Sequence, residues 1–134
     1  MSNTAFTVIG LITWSVLLSF MLVNVRLIAL RDGRPLNSFD PAGRDLQNFG
    51  YRVTRAHANS LDNLAIPVGL LLYAIATEQT AITEGLASWV LFARIAQSTV
   101  HMISTSVPMV LARATFFSAQ LIICVIWAWR FWQG

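Results

Sequence analysis

At 134 residues, with 56% hydrophobic and only 11% charged side chains, the chain carries too few charges to solvate the surface of a globular protein, where about 25% is typical. Its mean hydropathy is +0.63, so lipid must cover much of it, and the length leaves little room for a second domain. All nine basic residues are arginines, set against six acids for a formal charge of +3. They lie in or beside apolar runs rather than in a soluble basic patch, which argues against a nucleic-acid partner. The single cysteine, Cys124, excludes an internal disulfide and reads as a small buried hydrophobe inside an apolar run.

The first apolar run, Ala5 to Val25, is uncharged and 21 residues long, close to the roughly 20 needed to cross a bilayer. No positive region precedes it and no small-x-small cleavage pattern follows, so it reads as a retained helix rather than a cleaved signal. With its flank it predicts a first span over about 5–30. Arg26, Arg31 and Arg34 follow, then Gly33, Pro35, Asn37, Ser38, Asp40, Pro41 and Gly43, a cluster of turn formers that predicts a loop. The next apolar run, Leu64 to Thr77, is too short to span alone. It suffices only if the polar segment before it joins the same helix, giving a second span over about 46–78 whose polar face must meet protein. Pro67 lies within that span and frees the carbonyl of Asn63, which predicts a local kink.

Glu78 to Glu84 is a short polar connection. A third span over about 85–107 is interrupted by Arg94, Gln97 and His101, and Pro108 marks the turn into a fourth over about 109–132. Trp127, Trp129, Arg130 and Trp132 close the chain as an interfacial anchor would. The fold class expected is therefore all-α: one integral-membrane four-helix bundle. The first loop and its flanks hold six arginines, and the second connection holds none. By the positive-inside rule the first and third loops face the cytoplasm and both termini lie outside; in a bacterial inner membrane the termini are periplasmic.

The chemistry concentrates on the second and third spans. At about 100° per residue, Arg52, Arg55, Asn59, Asp62 and Asn63 share an arc of roughly 100°, and His57 points elsewhere. Arg94, Gln97, Ser98, His101, Ser104 and Thr105 form a matching stripe of about 120°. Counting about 1.5 Å per residue, Asn59 and His101 share a depth, and Asp62 comes near enough to Arg94 for an expected ion pair. Interhelical hydrogen bonds alone would explain isolated serines or threonines. They do not explain Arg31, Arg52, Arg55, Arg94 and Arg113 with Asp62 as their one buried partner. Excess guanidinium at membrane depth calls for an anion, best a small ligand with two or more carboxylates.

The run Arg52-x-x-Arg55-Ala-His57-x-Asn59-x-x-Asp62-Asn63-x-x-x-Pro67 resembles the signature of the membrane-associated proteins in eicosanoid and glutathione metabolism. Ala93-Arg94-Ile95, with Pro108 and Arg113 downstream, is similar to the third and fourth helices of that family, so the likeness covers about residues 26–120. It implies a homotrimer with glutathione as co-substrate, bound between subunits on the cytoplasmic side, and a lipophilic second substrate arriving from the lipid. It implies that Arg55, Asn59 and Asp62 hold glutathione, that Arg31 joins them, and that His57 reaches the ligand of the adjacent subunit. It further implies that Arg113 stabilises the glutathione thiolate. This chain has Asp62 where the family usually has glutamate, and Gln97 and His101 stand near the places of tyrosines common on the third helix. Two functions are consistent with these residues: a glutathione-dependent transferase or peroxidase, or a non-catalytic scaffold or accessory subunit of a larger membrane complex.

Overall fold

A computed structural model describes all 134 residues, Met1–Gly134. It is all-helical: α1 (Asn3–Arg31), α2 (Phe49–Asp62), α3 (Ala65–Ala76), a short 3₁₀ turn (Thr80–Ile82), α4 (Ala87–Ile103) and α5 (Val107–Gln133). α4 packs on α5, α1 and α2, and α3 bridges α1 and α5. With α2 and α3 as one broken member, the result is the expected four-helix bundle.

Three of its members are long and apolar enough to cross a membrane: Asn3–Arg31, Phe49–Ala76 and Val107–Gln133. Only Thr4, Thr7, Val8, Leu11, Ser15 and Leu18 of α1 are buried, a stripe at the three-to-four-residue spacing of one helix face. Phe6, Ile9, Ile12, Val16, Leu17, Phe20, Val23 and Leu27 point outward on the same helix. Soluble proteins rarely expose apolar surface so continuously, whereas lipid accepts it. The chain is an integral membrane protein.

Each boundary has a local cause. Ser2 caps α1, its hydroxyl accepting from the Ala5 N–H at 3.1 Å. Gly33, at φ +92°, closes the other end: the Gly33 and Arg34 N–H groups return to the carbonyls of Leu30 and Ala29, a reversal that favours glycine. The second span is shorter than its expected 46–78. Leu46 to Asn48 stay outside the helix because Asn48 adopts φ 51°, and Glu78, at φ 58°, ends α3 through bonds from Glu78 and Gln79 to Ile75 and Ala74. The third and fourth spans, expected over 85–107 and 109–132, run Ala87–Ile103 and Val107–Gln133. Ser104, extended at φ −157°, breaks the first of these, and Pro108 fits the opening turn of the second, where no N–H is required.

In the first loop, Arg34 donates to the Asp45 carboxylate at 2.7 Å and to its backbone carbonyl. Gly43 packs so closely that a Cβ there would meet Thr54 Cβ at 2.7 Å. The interior holds two apolar clusters. Val8, Leu11, Leu71, Val90, Leu91, Cys124 and Trp127 belong to one, and Leu18, Val53, Ala56 and Met102 form the other. Between them the helices place buried Ser15, Ser60, Arg94, Gln97, Ser98 and Gln120. Trp127, expected with Trp129 and Trp132 at the interface, is instead fully buried. It lies on the α5 face turned toward α3 and α4, while Trp129 and Trp132 stay exposed.

The carboxylate of Glu84, between the 3₁₀ turn and α4, clasps the start of α1. It accepts from the Asn3 N–H at 2.6 Å, the Thr4 N–H at 3.2 Å and the Thr4 hydroxyl at 2.9 Å. The Asn3 N–H, then that of Thr4, hold Glu84 below the usual glutamate pKa. Because the folded state binds this proton more weakly than the unfolded chain, the clasp is complete above the ordinary glutamate value. It is lost as pH falls through the depressed one. The melting temperature in detergent should therefore fall on that acid limb, and Glu84→Gln should lower the neutral-pH melting temperature by a few degrees and flatten the limb. An acid limb unchanged in Glu84→Gln would remove Glu84 as its cause.

Candidate functional site

Pro67 lacks an N–H, so the carbonyl of Asn63, four residues earlier, has no helical donor. The helix breaks there, between Asp62 and Ala65, and Arg94 Nη2 donates to the freed oxygen at 3.3 Å. Arg52 plays the same part at the far end of α4, its Nε donating to the Met102 carbonyl at 2.7 Å, one of the last carbonyls that a helix leaves unpaired. Two site candidates thus brace helix ends.

Other polar residues of α2, α4 and α5 meet in a cleft of about 350 Å³, toward the low end of the roughly 300–1,000 Å³ usual for small-molecule sites. Tyr51, Arg55 and Asn59 line it from α2, Gln97 and His101 from α4, and Arg113 with Phe117 from α5; Thr105 closes it from the connection. Two guanidinium groups enter this lining and no carboxylate does. The larger crevice of about 460 Å³ beside the first loop differs, since Arg34 there faces Asp32 and Asp45. His101 and Gln97 are buried, Arg113 half-buried and Arg55 exposed at the mouth. Arg55 and Arg113 both lie near enough to His101 to act on it electrostatically.

Of the residues expected at the site, Arg55, Asn59, Gln97, His101 and Arg113 converge, and Arg31, Arg52, His57, Asp62 and Arg94 do not line this cleft. Arg31 is exposed at the end of α1. His57 Nε2 faces α1 and lies 3.0 Å from the Ser19 hydroxyl, in keeping with its divergent direction on α2. The Asp62–Arg94 ion pair does not form. The ion pairs present are Arg34–Asp45 and Arg44–Asp40, Asp62 is exposed, and Arg94 is 2% exposed and turned to the Asn63 carbonyl. Depth by residue count placed Asp62 near Arg94. The break after Asp62 leaves its side chain outside and offers Arg94 a carbonyl instead. Tyr51 was missed as a lining residue, whereas Thr105 belongs to the expected stripe of the third span. Extending the α2 stripe by one turn, from Arg55 back to Tyr51, would have found it.

Fold and site together define a class: a four-helix integral membrane protein with an acid-free, arginine-lined cleft between three of its helices. The sequence profile of the MAPEG family matches residues 4–132, and the chain belongs to that family of membrane-associated proteins in eicosanoid and glutathione metabolism. No curated protein and no solved structure matches it significantly.

Because Asp62 is exposed and unpaired, Asp62→Asn should change stability by no more than about 0.5 kcal/mol. Arg52→Ala, which removes a charge-assisted bond to a helix end, should cost about 1–2 kcal/mol. Unfolding in detergent measures both, and the reverse order of the two losses would contradict these assignments.

Proposed function

We propose that the protein is a glutathione-dependent transferase or peroxidase acting on lipophilic electrophiles dissolved in the membrane. One observation carries this reading: Arg55 and Arg113 line a common cleft that contains no carboxylate. Two fixed cations without an acid favour a ligand bearing carboxylates, and the guanidinium fork binds these in bidentate fashion. Glutathione has two carboxylates and a thiol, and family membership supports it as the ligand class.

In this mechanism Arg55 and Asn59 anchor the peptide, with Gln97 and His101 supplying further polar contacts. Arg113 stands beside the sulfur. A free thiol has a pKa near 8.5, and an adjacent guanidinium raises the thiolate fraction that attacks the electrophile. The electrophile arrives through the lipid, where its solubility concentrates it. We propose further that the chain works as a homotrimer, with the exposed Asp62 and Arg31 meeting a neighbouring subunit's ligand. The cleft then faces the cytoplasm of a bacterial cell, as the arginine-rich first loop suggests.

A second reading, a non-catalytic scaffold or accessory subunit of a larger membrane complex, draws on one observation: Asp62, Arg31 and His57 stand apart from the cleft of their own chain. Glutathione decides between the two. For the enzyme, it should raise the melting temperature in detergent saturably, and Arg55→Ala should abolish that shift. No shift in the wild type would leave the scaffold. Arg113→Ala should lower conjugation of a model electrophile by about 10²–10³-fold, the scale of losing one charge-stabilising group, with binding nearly unchanged. Equal turnover by that variant would remove Arg113 from the chemistry.

A further inference from the structure

The wall of the cleft carries an amide whose orientation is set from behind. Gln120 of α5 is 2% exposed and is not itself a lining residue. Its Nε2 donates twice: to the Phe116 carbonyl, one turn back, at 3.0 Å, and to Gln97 Oε1 at 2.9 Å. A backbone carbonyl only accepts hydrogen bonds, so the nitrogen of Gln120 must be the atom lying against Phe116. Whatever Gln97 turns toward that nitrogen must then be an acceptor, its Oε1. Reversing both amides would set Gln120 Oε1 against the Phe116 oxygen, two acceptors at hydrogen-bond distance.

The orientation comes at some expense. Gln120 Oε1 is sealed inside without a partner, and buried amide oxygens are seldom left so. What it achieves is on the other side of Gln97. That residue lines the cleft, and its Nε2 is not among the sealed polar atoms, so the donor end of the amide meets the ligand space.

We infer that Gln120 is a positioning residue that locks the Gln97 carboxamide with its N–H₂ group toward the cleft, so that this wall selects a ligand oxygen. With Arg55 and Arg113 alongside, the cleft offers donors on three helices. The matching ligand presents acceptors on several sides, as a peptide with free carboxylates does. That the oxygen comes from glutathione rests on the reading above; the amide orientation does not.

The orientation is testable without any ligand. In the detergent-solubilised protein, side-chain amide hydrogen exchange followed by NMR should find the Gln97 carboxamide exchanging with solvent and that of Gln120 protected. A Gln97 carboxamide protected as strongly as that of Gln120 would overturn the inference. Glutathione titration supplies the functional arm. Gln120→Met, which cannot donate, should weaken binding by about three- to tenfold, the scale of one hydrogen bond. A merely structural role would lower the melting temperature of Gln120→Met while leaving glutathione affinity intact, and that result would overturn the inference. If Gln120→Met binds as wild type and Arg55→Ala does not bind, the positioning role fails and the glutathione reading stands. If the wild type itself does not bind, the glutathione reading fails and the exchange measurement decides the role of Gln120.

Discussion

A guanidinium within a lipid-facing bundle must find oxygen, and a helix interrupted there must find a donor for the carbonyls it leaves unpaired. This protein meets both demands with the same bonds. Arg94 takes the Asn63 carbonyl that Pro67 frees, Arg52 takes the Met102 carbonyl at the end of α4, and Arg34 takes the Asp45 carbonyl together with its side chain. The first two tie α2 to α4 at two depths and hold the broken second span at one angle. Arg55 and Arg113 are left to face the cleft. Its electropositive character is thus a residue of how the other arginines are consumed.

The interior is arranged to match. Buried apolar side chains form two separate clusters, and the polar band between them holds Arg94, Gln97, Ser98 and Gln120. Lipid does not drive apolar surfaces together as water does, so packing and interhelical hydrogen bonds hold the helices to one another. The cleft opens from this band, where a site can borrow order already required for packing. Gln97 belongs to both, lining the cleft and bonding Gln120 inside.

Residue patterns conveyed most of the architecture. Ala5 to Val25 is apolar all round, and such a run can only span or be buried. Pro67 located the break to within a turn, because a missing N–H is a local fact. The α2 and α4 stripes brought Arg55, Asn59, Gln97 and His101 together, since helical periodicity survives on each side of the break. Three expectations failed for one shared reason. The Asp62–Arg94 pairing, the interfacial place of Trp127 and the helical start at residue 46 each assumed an uninterrupted, ideal helix whose neighbours were known. The exposed side on which the break leaves Asp62, the close contact of α5 with α3 and α4, and the positive φ of Asn48 are set by packing and loop closure.

The amino-acid order alone therefore determined that the chain lives in lipid, that it forms a bundle of four helical members, that the second is broken at Pro67, and that it carries more arginines than acids. These follow from hydropathy, proline chemistry and charge, properties each residue brings with it. Only the tertiary structure decided which arginines are spent on carbonyls and which reach the cleft, that His57 turns to Ser19, and that Gln120 stands behind Gln97. Long side chains reach several ångströms from their backbone, and their partners are chosen by three-dimensional proximity that periodicity along one helix cannot express.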